Sequence, residues 1–533
     1  MTDHPLAVGV YPPDSLESHA RLFHALSCAL PVSFVAVGDA GATDAIVSFA
    51  GPDAVPELKA LGKPCFAAAH SGAQSKGLEF AFSTDGALDF RLRGRTFVPE
   101  TTLVMGEIAS NPGDRVLATA GQRPVWIQRA VDDAVVDVVA IPIPELDADE
   151  VLRDCLSPGR CMALLPLVHF LRSISRDVDW QPPPLRATLM IDDPNLHAMS
   201  YGFIDFASLV EHATTHNYHL SSAMIPLDGW YVNSRAARCF REHADRISLL
   251  VHGNNHSRHE LAQSYAEAES LALAGQALSR IAKFESRSGL RVARVMAAPH
   301  GKVSAAMAKT LARVGFDALC HSRPFPWIKR LPADVPLAGL CPAQWTEEGL
   351  PVLPRFSMEA SETDIVLRAF LDQPLILLGH HWDAVDNYAL FERAANVVNS
   401  LGTVQWMNMM TMAHTNYAWK RVDDVLRVRA YSKRFEVPMP EDVTAIEVEV
   451  PVLGDEIDTG AIEISGAESP GVRRNGAMHG TSTSVSGAAC TVRIQHANPI
   501  DPATLAAPST PLKHLARRMA TEIRDRCQPL TGR

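Results

Sequence analysis

Two carboxylates and two imidazoles follow apolar runs in the middle of the sequence. Asp192 and Asp193 come after "ATLMI", and His252 and His256 stand on either side of "GNN" after "SLLV". One carboxylate with two imidazoles can bind a divalent transition metal and leave positions open for water and substrate. Neighbouring strand residues point to opposite sides, so the second carboxylate is free to take a proton from water instead. These residue types indicate metal-assisted hydrolysis.

The spacing of the two histidines predicts a tight loop rather than one helical face. Ser257 followed three residues later by Glu260 is typical of a capping box, which predicts a long helix from 259 to about 286. His252 and His256 therefore lie in the turn before that helix. The Gly-Asn-Asn between them tolerates turn conformations, which lets the loop point both imidazoles at one spot.

Two further strand ends carry polar groups of the same kind. "APHG" at 298–301 follows "RVARVMA", and His380 and His381 follow "PLILLG". In parallel α/β sheets and barrels the functional crevice lies at the carboxyl ends of the strands. A single strand-end aspartate is more often a helix cap, and a single histidine pair is more often structural. Four such strand ends together favour a site.

The elements that must position these residues alternate between strand and helix. From residue 186 to 418 the alternation predicts a parallel sheet or barrel, and the prolines at 182–184 predict a linker before it. Residues 1–180 predict an N-terminal α/β domain with a β-rich second half. Residues 419–505 predict a small β-sandwich. The amphipathic helix within 506–533 is expected to pack on its own protein.

Composition excludes several classes of function. The 533 residues are 47% hydrophobic with a formal net charge of -11, which argues against nucleic acid as the main partner. The sequence contains no run of roughly 20 apolar residues and no signal-peptide pattern, which predicts a cytoplasmic protein without a membrane span. The nine cysteines are scattered without a CxxC pair, so neither a disulfide framework nor a zinc finger is indicated.

The motif order resembles the polysaccharide deacetylase superfamily, with its chitooligosaccharide deacetylase-like homology domain and irregular (β/α) barrel. The resemblance covers residues 186–415 and is carried by the aspartate pair, the His-x-x-x-His spacing, a proline-containing loop and a late histidine after an apolar strand. The stretches "IDDPNLHAMSYGFIDF" and "LVHGNNHSRHEL" are similar to a divergent bacterial subgroup within it.

The resemblance implies a role for each candidate residue. It implies that three side chains bind a divalent metal, most often zinc: Asp193, His252 and His256. It implies that Asp192 is the general base, while the ion acts as a Lewis acid and lowers the pKa of water. His300 stands at the aromatic position of the loop that stabilises the oxyanion. His380 fits the Leu-x-His pattern of the histidine that protonates the leaving group, and His381 is a close competitor.

One departure from the family pattern concerns the support of the base. The family commonly has an arginine two residues before the proline of the "APHG" loop, and Ala297 stands there instead. Without that cation, Asp192 is expected to be held less well in its charged form. Arg294 or Arg323 is a candidate to replace it.

The leading hypothesis is a metal-dependent hydrolase that removes acyl groups from an N- or O-acetylated sugar or cleaves another C–N amide bond. The alternative is a catalytically degenerate carbohydrate-binding or assembly protein on the same barrel. A glycoside hydrolase ranks last, because that chemistry needs two carboxylates roughly 5 to 9.5 Å apart. The expected partner is an acylated carbohydrate or a small amide, and the flanking domains are predicted to bind partners, shape the groove or hold a homo-oligomer.

Secondary candidates have a structural interpretation beside the functional one. Asn195 and His197 either line the site or cap the next helix, and the proline-rich loop 322–330 is a candidate wall. Four tryptophans either stack on sugar rings or, more often for any one of them, pack in the core: Trp230, Trp327, Trp382 and Trp406.

Overall fold

The fold was analysed in a computed structural model of the chain. It describes residues 5–37, 43–51, 62–69, 71–99, 101–131, 134–147, 150–175, 180–323, 339–451, 459–465, 473–475, 478–485, 487–506 and 508–531. Contacts group the chain into two compact units. The first contains Met1–Trp180, Arg330–Cys341 and Ser361–Leu371, and the second contains Gln181–Lys329, Pro342–Ala360 and Asp372–Arg533.

The first unit is built on a mixed sheet. The strands of this unit are, in chain order, β1 (Leu6–Tyr11), β2 (Val32–Ala36), β3 (Ala45–Ser48), β4 (Cys65–Ala68), β5 (Ala73–Ser75), β6 (Phe80–Phe82), β7 (Thr96–Phe97), β8 (Leu103–Met105), β9 (Arg115–Ala120), β10 (Arg123–Val131) and β11 (Ala134–Val139). Strands β5 and β8 pair with each other in a separate two-stranded sheet. The helices before residue 180 are α1 (Ser15–Ser18), α2 (Ala20–Ala29), α3 (Leu152–Cys155) and α4 (Leu165–Ile174).

The order of strands in this sheet is β2-β1-β3-β4-β11-β10-β9-β6-β7. Neighbours from β2 to β11 pair in parallel, whereas β11, β10, β9, β6 and β7 pair antiparallel. The change of direction falls where the sequence turns β-rich. The expectation of an N-terminal α/β fold is therefore confirmed.

The second unit begins with the elements of the central region. The strands are β12 (Arg186–Asp192), β13 (Ser200–Tyr201), β14 (Ile204–Asp205), β15 (Leu220–Met224), β16 (Ile247–His252), β17 (Val292–Ala297), β18 (Ala318–His321), β19 (Gln344–Trp345), β20 (Pro351–Ser357), β21 (Leu375–Gly379) and β22 (Gln405–Trp406). The helices are α5 (Phe206–Thr215), α6 (Ser234–Glu242), α7 (Glu267–Ser288), α8 (Ala305–Arg313), α9 (Glu362–Phe370, part of the first unit), α10 (Ala389–Asn399) and α11 (Met409–His414).

Seven of these strands close into a parallel barrel. They run in the order β15-β16-β17-β18-β20-β21-β12, and β12 pairs in parallel with β15 to complete the ring. All seven residues of β12 are buried, as expected for a strand covered on both faces. The predicted irregular (β/α) barrel is confirmed, with seven strands instead of the usual eight. Its carboxyl ends form one rim.

The last part of the chain forms two facing antiparallel-rich sheets. The strands are β23 (Tyr417–Val422), β24 (Val425–Ala430), β25 (Arg434–Pro438), β26 (Ala445–Pro451), β27 (Thr459–Ile464), β28 (Arg473–Asn475), β29 (Met478–Ser484) and β30 (Ala489–His496). Their sheets are ordered β23-β24-β26-β29-β28 and β25-β30-β27. Residues of both sheets share one apolar cluster, including Val428, Val448 and Val492. The predicted β-sandwich is confirmed, whereas the boundaries between the four predicted segments of the chain stay predictions.

A final helix, α12 (Leu512–Thr531), follows the sandwich and packs on the rim of the barrel. Among the described residues, no helix has both the length and the apolar composition needed to cross a membrane.

Candidate metal centre and active site

Three of the predicted residues meet at the carboxyl rim of the barrel. Oδ1 of Asp193 lies 3.2 Å from Nε2 of His256 and 3.5 Å from Nε2 of His252. Potential ligand atoms of the three side chains all lie within 4.8 Å of one another. Oδ1 of Asp193 is buried and, among the described residues, has no hydrogen-bond partner. An orphaned carboxylate oxygen facing two imidazole nitrogens fits a divalent metal.

The backbone turns sharply at two of these residues. Strand β12 ends at Asp192, and Asp193 has φ 81°, while His256 has φ 52°. Such left-handed conformations are uncommon for residues other than glycine, and strain of this kind concentrates at functional sites. The two carboxylates are therefore separated by a turn after the strand, not by strand alternation as the sequence argument assumed.

Hydrogen bonding and burial prepare the two histidines for a metal. Nδ1 of His252 lies 3.0 Å from the carbonyl oxygen of Ala297; a proton donated there leaves the Nε2 lone pair facing Asp193. Burial and the neighbouring His252 lower the pKa of His256 to about 3, so its ring is neutral at pH 7. Burial opposes ionisation of Asp193, but His252 and His256 outweigh it and the pKa of Asp193 is lowered.

Glu260 holds the loop that carries the histidines. Its buried carboxylate accepts hydrogen bonds from the backbone N–H groups of Asn254, Asn255 and His256 at 2.7 to 3.2 Å. The predicted long helix is present as α7, but its predicted start at 259 is wrong. The Glu260 carboxylate binds the loop, and only a short 3₁₀ turn, Glu260–Ala262, precedes α7. A Cβ at Gly253 would meet Glu260 Oε1 at 2.2 Å, so only glycine fits there.

Asp192 is paired with a cation that the sequence argument missed. Nη1 of Arg355, on β20, lies 3.3 and 3.2 Å from the two carboxylate oxygens of Asp192, and both side chains are buried. The expectation that Ala297 leaves the base poorly held is therefore wrong. Arg294 does not take this place, since it pairs with Glu285 at 2.8 Å. Nor does Arg323 pair with Asp192 among the described contacts.

Comparisons with known proteins give fold-level likenesses. No family model and no curated protein matches the sequence. A family 4 carbohydrate esterase from Streptomyces lividans in complex with acetate is 13% identical over 42% of this chain and 92% of that chain, with a TM-score of 0.26. A peptidoglycan deacetylase from Bacillus subtilis is 12% identical over 44% and 91%, with a TM-score of 0.25. A CE4 family pseudoenzyme from Bacillus anthracis is 13% identical over 46% and 69%, with a TM-score of 0.27.

These solved structures belong to the superfamily that the sequence motifs resemble. At such identities and TM-scores the likeness assigns no activity, and the chemistry must be argued from the residues.

The remaining predicted site residues lie close to the metal-fitting group. The ring of His300 is 4.8 Å from that of His256, and His300 has φ 55° in its exposed loop. His380 is half-buried and stacks on Trp382 with ring centroids 4.5 Å apart. His381 is buried, and Nε2 lies 3.9 Å from Oδ1 of Asp525. Both residues directly follow β21, a barrel strand that ends at Gly379, and so lie at the same rim.

Helix α12 contributes charged residues that no local sequence signal predicted. Arg518 forms a buried ion pair with Asp228 at 2.6 Å, and its charge also helps to lower the pKa of Asp193. Asp525 accepts a hydrogen bond of 2.7 Å from the hydroxyl group of Tyr201. The carboxyl-terminal helix thus forms part of the wall of the site.

Some of the secondary candidates are exposed, and others bond to neighbouring structural elements. His197 lies 2.9 Å from Glu522 of α12 through Nδ1 and 2.8 Å from the Asp228 carbonyl through Nε2. Asn195 accepts a hydrogen bond from Arg526 rather than capping a helix. Trp230 and Trp382 are 62% and 49% exposed, and the half-buried Trp406 donates to Asn399. Trp327 and most of the loop 322–330 lie outside the described residues.

Proposed function

We propose that this chain is a metal-dependent hydrolase of the polysaccharide deacetylase type. It removes an acyl group from an N- or O-acetylated sugar or cleaves another C–N amide bond. The observation that carries the proposal is the unpartnered Oδ1 of Asp193 facing His252 and His256, next to an Asp192 carboxylate fixed by Arg355. A carbohydrate substrate agrees with the exposed Trp230 and Trp382 at the rim, since aromatic faces stack on sugar rings.

Asp193, His252 and His256 would hold a divalent ion, and zinc suits two imidazoles with one carboxylate. When bound, such an ion supplies Lewis-acid polarisation of the acyl oxygen and lowers the pKa of water. The neutral His256 and the tautomer of His252 fixed by Ala297 present lone pairs to it without the loss of a proton.

Asp192 is the proposed general base. It is paired with Arg355, and Nδ1 of the neutral His252 lies 3.9 Å from Oδ1 of Asp192. Arg355 binds both oxygens of the carboxylate and so fixes its direction, which a base needs before it can remove a proton from an attacking water.

Two histidines are candidates for the group that protonates the departing amine or alcohol. His380 is the residue that the family pattern predicts, but its ring stacks on Trp382. His381 has a carboxylate neighbour, Asp525, that stabilises an imidazolium. We favour His381 as the proton donor, with His380 as the competitor that the experiments separate. His300 stays the proposed residue of the oxyanion loop.

The alternative of a degenerate binding protein is not carried further. It rested on the missing arginine at position 297 and on the two flanking domains, and Arg355 supplies the missing cation from another strand.

Metal content and acetate release together test the proposal. The purified full-length chain is expected to contain a divalent metal and to release acetate from N- or O-acetylated sugar oligomers. Asp193→Ala and His252→Ala should each lose metal from this site, whereas Asp192→Asn should keep the metal and lose turnover. A wild-type chain without metal, or metal unchanged by both ligand substitutions, would refute the metal centre. Turnover retained in Asp192→Asn would refute the assignment of the base.

A further inference from the structure

A second group of metal-ligating side chains lies on the outer helices of the barrel. His212 and His216 are one turn apart at the end of α5, and the N–H of His216 donates to the His212 carbonyl at 3.0 Å. Residues four apart in this geometry share one helical face. Their ring centroids are 4.2 Å apart with planes inclined by 29°.

The neighbouring helix α10 adds a carboxylate to this pair. Oε1 of Glu392 lies 3.8 Å from Nδ1 of His216. One potential ligand atom from each of Glu392, His212 and His216 lies within 4.8 Å of the others, and all three residues are partly buried. The three side chains therefore meet the same 4.8 Å spacing as Asp193 with its two histidines.

The ring of His212 is held in place by a buried phenol. Nδ1 of His212 lies 3.0 Å from the hydroxyl group of Tyr218, which is fully buried. A ring nitrogen engaged in this way leaves Nε2 as the ligand atom, as the supporting partners of metal-binding histidines usually do. Burial and the adjacent His216 lower the pKa of His212, which keeps its ring neutral.

We propose that His212, His216 and Glu392 form a second divalent-metal site that joins α5 to α10. Two imidazoles and one carboxylate are a zinc ligand set, with the fourth position left to water. The site also lies at the carboxyl-terminal end of α5, where the helix dipole favours a cation.

This site is separate from the centre at Asp193. Helix α5 has ten residues, a length of about 15 Å, and runs from the carboxyl rim back toward the start of β15 at Leu220. The ion would therefore lie near the opposite end of the barrel. Functional residues of such barrels lie at the carboxyl rim, so a metal at the other end stabilises the fold.

The position of the site suggests which contact it stabilises. Strand β12, next to α5 in sequence, closes the barrel by pairing with β15 and also pairs with β21, which precedes α10. Tyr388 and Asn399, flanking and ending α10, already bond to the backbone of Asp205 and His216 at the two ends of α5. A metal between these helices would lock the closing seam of the barrel.

Zinc titration of the full-length chain carrying Asp193→Ala and His252→Ala tests the site without the first centre. This chain should bind one zinc ion and unfold at a higher temperature when zinc is added. Adding Glu392→Gln, which preserves shape at a side chain 45% exposed, should weaken zinc binding at least about tenfold, as should His216→Ala. His243→Ala, at the corresponding end of α6, is the matched control and should change nothing.

Zinc binding that is absent, or unchanged by both Glu392→Gln and His216→Ala, would overturn the second site. Anomalous diffraction at the zinc edge from the wild-type chain gives an answer that needs no variant. A peak between α5 and α10 supports the proposal, and its absence from zinc-soaked crystals refutes it. A wild-type chain that binds zinc between α5 and α10 but not at Asp193 would refute only the proposed function.

Discussion

Replacing Arg355 with methionine tests the central electrostatic contact of the site. The side chains of Arg355 and Asp192 are 4% and 7% exposed, so Arg355→Met keeps most of the volume but leaves a buried carboxylate without its cation. Removing one partner of a buried ion pair typically costs about 3–5 kcal/mol. For a domain of 150–250 residues, each kcal/mol shifts Tm by about 2–4 °C, so Tm should fall by about 6–20 °C.

A double-mutant cycle separates this pair energy from loss of packing. Asp192→Asn combined with Arg355→Met removes both charges, and it should recover much of the stability lost by Arg355→Met alone. Arg294→Met is the matched control, because its pair with Glu285 is more exposed, and it should cost about 0–1 kcal/mol. Denaturant unfolding of the four chains of the cycle, and of the control, measures these values.

The outcome that refutes the reasoning is additivity. If the two single substitutions sum to the double within about 0.5 kcal/mol, the ion pair contributes nothing specific. Turnover gives an independent reading, since Arg355→Met should keep the metal and lose activity. Full activity in that variant would show that Asp192 needs no cation.

Further outcomes follow from the loop and from α12. Gly253→Ala forces a methyl group against Glu260 at φ 64°, so metal affinity should fall while the far-ultraviolet spectrum is kept; unchanged affinity contradicts the role of the loop. Burial lowers the pKa of His381, and Asp525 opposes that effect, so Asp525→Asn should lower this pKa further. If protonated His381 is the donor, the alkaline fall of kcat/KM then moves to lower pH. His380→Ala should leave that fall in place, and the reverse result would make His380 the donor.

The meeting of Asp193, His252 and His256 could be predicted from the sequence because each follows an apolar strand. Parallel strands bring their carboxyl ends to one rim, whatever lies between them in the chain. The turn at Asp193 was not predictable, since an aspartate after a strand gives no sign of a φ of 81°. The role of Glu260 was also misread, because the same spacing suits a helix cap and a loop clamp.

The sequence around Arg355 does indicate a buried ion pair. Arg355 is the one charged residue of "PVLPRFS", an otherwise apolar strand. A strand of a closed parallel barrel is shielded from water, so an arginine within it needs buried hydrogen-bond acceptors, among which an anion is the strongest. Asp192, at the end of another strand of the same barrel, is such an anion. Neither Arg294 nor Arg323 takes this place, because in the ring of strands the cation can come from β20, two strands from β12.

Helix α12 shows why its site residues could not be predicted from the sequence. Its amphipathic pattern predicts that apolar residues are buried, yet Met519 and Ile523 are each 61% exposed while Arg518 and Asp525 are buried. The partners of this charged face lie far away in sequence: Asp228, for example, is 290 residues before Arg518. No local periodicity encodes such a pairing.

The burial of charged side chains on α12 indicates that this helix serves to position the loops of the carboxyl rim. Ion pairs cost desolvation that their attraction barely recovers, so they add little to stability compared with an apolar face. What they do provide is one defined arrangement, because Arg518 must meet Asp228 and Asp525 must meet Tyr201 at the same time. Both partners belong to loops of the carboxyl rim. The helix therefore fixes the loops around Asp193, His252 and His256. An apolar contact, which can slide, would not hold them in one arrangement.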